Sequence, residues 1–275
     1  MFYVTNYDQC YEKTFNNIEK SIDTTPQTTI MNNISYPRES RLMKPYIVID
    51  TETAPEPWFD KNHMDRTSLV YDLGYIITDG ETVLRERSFV IAETFYNDAM
   101  MNSAYFADKL PQYRAGLGKD WEVISFLTAW ETFKNDCKEF GIKDVFAYNA
   151  RFDRNVLNHT IETYSKGFVK FFFPYKLRIK DVWTMAGKTI CATKKFVKYC
   201  VENGYMTDKG NPSTNAEIVY RYMTKDSEFI EAHTALQDAL TENDILKRVR
   251  KRHQKTETKP NGTGWRTASN IKKNL

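Results

Sequence analysis

The chain has 275 residues, 41% hydrophobic and 14% aromatic, which excludes wholesale disorder and allows a substantial core. Its four scattered cysteines (Cys10, Cys137, Cys191, Cys200) form no C-x-x-C pair, and no run approaches the ~20 apolar residues of a membrane span or has the layout of a signal peptide. A zinc ribbon, a disulfide framework and a membrane partner are therefore excluded, and a soluble, unexported, cytoplasmic protein with a net charge of +3 is expected.

Residues 1–44 are rich in Thr, Asn, Ser and Tyr, carry five acidic and five basic residues, and show no sustained hydrophobic period. They read as a polar N-terminal extension. Pro45 opens "YIVID" (46–50), a short apolar run fit for a central strand. "YDLGYIIT" (71–78) and "ETVLRERSFVIA" (81–92) flank Asp79-Gly80, a hairpin signal, so three neighbouring strands are predicted, at least one pair antiparallel. Phe126, Trp130, Phe133, Cys137 and Phe140 recur at +4, +3, +4, +3 and predict a core-facing helix that Gly141 ends. "DVFAYN" (144–149) predicts a strand, 151–164 a helix, and "KFFFPY" (170–175) a short extended piece. Further helices are predicted near 181–191, 194–203 and 214–223, the last capped by Ser213 or Thr214, and at 235–250. Strands first and then alternation with helices imply a mixed α/β domain over 45–250.

The charge is uneven. Residues 247–275 hold ten Lys/Arg against the single acid Glu257, a balance of +9, whereas the rest of the chain carries −6. A basic tail (251–275) on an acidic body suits a nucleic-acid partner, through counterion release; a solvated, solubilising tail is the competing reading.

Three groups of polar residues stand out. Asp50 and Glu52 end the first strand and, being two residues apart, point to one face. Like charges so placed repel unless a cation lies between them, and oxygen ligands suit Mg²⁺ or Mn²⁺ rather than zinc. On this stretch alone, an exposed acidic strand end competes with that reading. Asp153 falls in the first turn of a helix with Asn149 placed as its cap, where an acid is favoured by the helix dipole without any function. In "EAHTALQDALTEND", Thr234 and Gln237 form a possible capping box, which starts a helix at Thr234 and leaves His233 in the loop beside Asp238. Glu242, Asp244 and Asp181 are assigned solvated or capping roles.

D-x-E at a strand end, N-x-x-x-D at a helix start and H-x-x-x-x-D at a later helix start, in that order, resemble the DEDDh 3′–5′ exonucleases, a family that includes proofreading exonuclease subunits, RNase T and oligoribonuclease. The resemblance covers about residues 46–250. It implies an RNase H-like fold with a mixed five-stranded sheet flanked by helices. It also implies hydrolysis of the terminal phosphodiester bond at a nucleic-acid 3′ end, foremost single-stranded DNA, with release of 5′-mononucleotides. Asp50, Glu52 and Asp238 would hold one Mg²⁺ or Mn²⁺ ion and Asp50 with Asp153 a second, ~4 Å away. His233, with an ordinary pKa near ~6.5, would take the proton of the attacking water. Thr51, Thr53, Ala54, Trp58 and Asn149 would meet the substrate; Trp58, in the loop with Phe59, has two readings of equal weight, stacking on a terminal base or covering the core. Where many members have His, this chain has Tyr148, which should alter packing around the site more than its chemistry. An exoribonuclease with the same site, since nothing in the motifs reads a 2′-hydroxyl, and a nucleic-acid-binding module with little turnover are the alternatives.

Overall fold

The computed structural model describes residues 44–251 and 264–272, and in the second stretch the side chains of 268–272. The polar N-terminal extension, Cys10 and residues 252–263 of the basic tail lie outside the described residues. Six strands, β1 (Tyr46–Pro55), β2 (Ser68–Thr78), β3 (Val83–Ile91), β4 (Glu122–Ile124), β5 (Asp144–Ala147) and β6 (Arg178–Asp181), form one sheet in the order β4-β3-β2-β1-β5-β6. β1 to β3 are antiparallel neighbours, while β1–β5, β5–β6 and β3–β4 are parallel. The sheet therefore has one strand more than the five predicted. The addition, β4, is a three-residue edge strand too short to show a period, and β6 lies at 178–181 whereas the extended piece is predicted at 170–175.

The helices are α1 (Ala92–Phe95), α2 (Asp98–Met101), α3 (Leu110–Gly116), α4 (Phe126–Glu139), α5 (Ala150–Tyr164), α6 (Val182–Thr189), α7 (Lys194–Glu202), α8 (Ala216–Thr224), α9 (Ala235–Arg250) and α10 (Gly264–Lys272). α4 ends as its glycine requires: Gly141 has φ 61°, and Ile142 N and Gly141 N donate to Cys137 O and Lys138 O in a Schellman pair. α8 is capped by Asn215, whose side chain accepts from Ile218 N, and not by Ser213 or Thr214. "KFFFPY" is not extended strand. Phe172 is driven into the core against Phe126 and Phe133, and the backbone around it is irregular.

The central position of β1 follows from its sequence. Tyr46 and Val48 point to a core shared with α6, α7 and α9, Ile47 and Ile49 to one shared with α4 and α5, and all four are buried. By the same alternation Asp50 and Glu52 continue the Val48 face, under α9.

α9 lies on the sheet at one close approach. A Cβ on Gly74, which pairs with Asp50 in the register, would stand 2.1 Å from Leu236 N and 2.3 Å from Ala235 C. Only a glycine lets the helix start there, and the buried Ala235 and Ala239 keep its underside thin. After α9 the chain returns in α10, which packs on α6 and α7 and buries Ala268, and Lys272 Nζ donates to Gly210 O. Among the described residues no helix is long and apolar enough to cross a membrane.

Candidate functional site

Two helix starts and one strand end meet in a cleft of about 760 Å³. Asp50, Thr51 and Glu52 come from β1, Asn149 and Asp153 from the start of α5, and His233 and Asp238 from the entry to α9; all seven line the cleft. The three sequence motifs thus converge. Among the other proposed substrate contacts, Thr53 lines a neighbouring cavity of about 610 Å³ with Phe59, Met64 and Tyr105. Ala54 is packed in the core beside Leu69 and Tyr71, and Trp58, 66% exposed, lines neither space.

Each acid is held by its own local structure. Asn149 occupies the N-cap position of α5 in the left-handed region (φ 64°), which Asn tolerates, yet its side chain makes no capping bond. The turn is fixed instead by Asp181, whose Oδ1 accepts from Asn149 N at 3.1 Å and from Trp183 N at 2.9 Å, so its capping role at α6 also secures α5. Asp153 sits one turn into α5 and accepts from Thr51 Oγ1 at 2.9 Å, a direct link between strand end and helix.

His233 does stand in the loop before α9, with φ 52° and its ring stacked on Phe106 at 4.0 Å between centroids and 15° between planes. Burial, with Lys109 nearby, holds its pKa below the ordinary value. Both effects favour the neutral imidazole, the form able to accept a proton.

The capping box at α9 is absent. Thr234 is the N-cap residue and is buried, but its side chain makes no capping bond. Asp72 Oδ2 accepts from Ala235 N at 2.9 Å and from Tyr113 Oη at 2.6 Å. The helix start is pressed against β2, so an acid of that strand reaches its free N–H groups directly.

The electrostatics are those of crowded, buried carboxylates. Burial first, then Glu242 and Asp153, pushes Asp50 well above the usual carboxylate range. Burial, with Asp238 next to it, raises Glu52 to about 9. Asp238 rises to about 8 through burial and Glu231, and Asp153 to about 7 through burial, tempered by the Thr51 hydrogen bond. Ligand atoms of Glu52, His233 and Asp238 lie within 4.8 Å of one another, and those of Glu217, Glu231 and His233 form a second such group. Asp238 Oδ1 is buried with no hydrogen-bond partner among the described residues. An orphaned carboxylate oxygen among acids that repel one another fits a divalent cation, which would relieve both conditions.

Sequence reasoning missed four residues here. Glu242 is buried in the cleft and not solvated; its Oε2 accepts from Tyr148 N at 3.0 Å. Its signal was present, because it lies four residues after Asp238 and thus on the same helix face. Asp72 and Phe106 carried none, since each reaches the site from an element with no motif of its own, and Glu231 lies two residues before His233 in the third motif stretch but at no position of the motif itself. Tyr148 donates through its hydroxyl to Thr214 O and stacks on Trp183, tying the 207–214 wall of the cleft to α5's turn.

No protein-family profile matches the sequence, and no curated protein does. Solved structures match. E. coli exonuclease I in complex with a dA16 oligonucleotide aligns with a TM-score of 0.51 and 16% identity, over 76% of this chain and 41% of that one. The chain thus spans about two-fifths of that enzyme. A 3′-exonuclease described in 3′-end-specific recognition of the histone mRNA stem-loop gives 0.51 at 10% identity, over 79% of this chain and 86% of that one. A full-length 3′-exonuclease structure gives 0.51 at 10%, covering 81% and 89%. The RNase H-like fold of these exonucleases is therefore the fold of this chain.

Proposed function

We propose that the chain is a metal-dependent 3′–5′ exonuclease that hydrolyses the terminal phosphodiester bond of single-stranded DNA and releases 5′-mononucleotides. One observation carries this reading: Asp50, Glu52, Asp153, Asp238 and His233, drawn from three distant motifs, line one cleft. The fold shared with exonuclease I, crystallised with a DNA oligonucleotide, supports it. So does the fold shared with a 3′-exonuclease that recognises an mRNA stem-loop, and that likeness keeps RNA as the second reading of the substrate.

Two Mg²⁺ or Mn²⁺ ions, held by Asp50, Glu52 and Asp238 and by Asp50 with Asp153, would activate water and neutralise charge on the departing oxygen. The remaining tasks fall to the chain. His233 accepts the proton of the attacking water at neutral pH, and the Phe106 stack keeps its ring from turning away. Thr51 holds Asp153 by its hydroxyl, so the strand end and the helix move as one body. Backbone groups of Thr51 to Ala54, with Asn149, meet the terminal nucleotide; residues of the 207–214 stretch also line the cleft. A cytoplasmic setting and the polar extension and basic tail as appendages to a 45–250 domain belong to the same proposal. The test is to follow 3′-labelled DNA and RNA oligonucleotides with Mg²⁺ or Mn²⁺, in the intact protein and in Asp50→Ala.

A further inference from the structure

The stretch between α5 and β6 has a composition at odds with its exposure. Phe168, Phe171 and Tyr175 are 90%, 71% and 92% exposed, and Lys166, Lys170 and Lys176 alternate with them, all three exposed. Three large aromatics so bare are unusual on a soluble surface and mark an interaction site when they cluster.

The segment holding them is fixed in place. Phe172 is fully buried, its carbonyl accepts from Trp130 Nε1 at 2.8 Å and its N–H donates to Asn158 Oδ1 at 2.9 Å. Ser165 Oγ accepts from Val169 N at 2.9 Å. Lys166, Gly167 and Lys176 all have positive φ, so the backbone turns sharply at both ends of the segment. A segment anchored on both sides with its rings turned to solvent is a preformed surface, which loses little entropy on binding.

The charge selects the partner. Among the described residues none of the three lysines is in an ion pair, and the neighbouring Asp144 is already held by Arg178 and Lys180. Rings that can stack on bases, interleaved with cations that can meet phosphates, are what single-stranded nucleic acid requires. The place is consistent with that occupant. α5 carries Asp153 into the cleft and delivers the chain to this segment, and from Asp153 to Tyr164 the helix rises ~17 Å. At ~3.4 Å per stacked nucleotide, a strand needs about five nucleotides to cover that distance.

We propose that residues 166–176 are a docking platform for single-stranded nucleic acid, holding the strand several nucleotides away from the end that enters the cleft. The platform extends the exonuclease reading of the site and relies on it for the direction of the strand.

The experiment uses the full chain and the variant Phe168→Ala/Phe171→Ala/Tyr175→Ala, whose exposed rings can be removed without disturbing the core. Binding of fluorescein-labelled single-stranded dT12 is measured in EDTA, and hydrolysis of dT12 and of a dinucleotide in Mn²⁺. The variant should bind dT12 at least tenfold more weakly, with KM raised in proportion and kcat retained. Dinucleotide hydrolysis should not change, because a dinucleotide cannot reach the platform. Replacing Lys166, Lys170 and Lys176 by Gln should flatten the logarithmic salt dependence of dT12 binding by about 2. Equal dT12 affinity in wild type and ring variant overturns the platform. So does a loss confined to binding of phosphatidylserine vesicles or to self-association. A wild type that binds dT12 in EDTA but hydrolyses neither substrate overturns the reading of the cleft and leaves the platform standing.

Discussion

Asp72 Oδ2 accepts a 2.9 Å hydrogen bond from Ala235 N, so an acid on β2, paired across the strands with Glu52, starts the helix that carries Asp238. Asp72 thereby positions a residue of the site without belonging to any motif. Asp72→Ala leaves Ala235 N and the Tyr113 hydroxyl buried without an acceptor and should cost about 2–4 kcal/mol. Asp72→Asn keeps one acceptor oxygen and should recover much of that. Thr234→Ala, by contrast, removes no capping bond and should cost less than about 1 kcal/mol. Chemical denaturation of the three variants checks the order, and an Asp72→Ala protein as stable as wild type would contradict it.

Gly74 is required for a different reason. A Cβ there meets the backbone of Leu236 at 2.1 Å, and backbone cannot give way as a flexible side chain does. Gly74→Ala should therefore destabilise by about 3 kcal/mol or more and lift α9 from the sheet. Thermal unfolding measures the first effect, and loss of divalent-ion stabilisation the second.

The raised carboxylate pKa values fix a sign. Glu52, Asp238 and Asp153 stand at about 9, 8 and 7, all above their unfolded values, so each binds a proton more tightly when folded. Their contribution to stability is full below about pH 4 and is lost progressively as pH rises from there to the folded values of about 7 to 9. A divalent ion competes with those same protons. The rise in Tm on adding Mn²⁺ should accordingly be larger at pH 8.5 than at pH 6, with the metal-free protein losing stability over that interval. A Tm shift independent of pH would contradict the assignment of these acids as ligands.

In the proposed reaction His233 acts through its orientation as well as its pKa. His233→Ala should lower kcat by 10² to 10⁴ with little change in stability, as for a lost general base. Phe106→Ala keeps the imidazole but removes its stacking partner at 4.0 Å, and should lower kcat about tenfold while leaving oligonucleotide binding intact. Single-turnover rates on a 3′-labelled strand separate the two, and equal rates for Phe106→Ala and wild type would remove the stack from the account.

Much of this was legible in the residues. "YIVID" reads as a central strand because it is apolar on both faces, and α9 reads to its observed ends, 235–250, because its apolar residues keep period. The carboxylates were legible because spacing on a strand or helix determines direction. What escaped lies where tertiary contact overrides local chemistry. β4 is three residues long and exists only because β3 offers an edge. "KFFFPY" looks like strand, yet Phe172 is worth more in the core than in a ladder. The cap of α9 comes from 163 residues away, and no local rule finds an Asp at that distance. The side chains of Thr53, Ala54 and Trp58 lie next to the motif in sequence, but they line a neighbouring cavity, the core and the surface respectively.

The central claim is that five residues on one cleft cut nucleic acid from its 3′ end with divalent ions. It is tested most directly by incubating 3′-labelled and 5′-labelled single-stranded oligonucleotides with the purified protein and Mn²⁺. The account predicts immediate release of the 3′ label as a mononucleotide, stepwise shortening of the 5′-labelled strand, and loss of both in EDTA and in Asp50→Ala. Cleavage that persists in Asp50→Ala, or the absence of any shortening of DNA and RNA by the wild type, would contradict it.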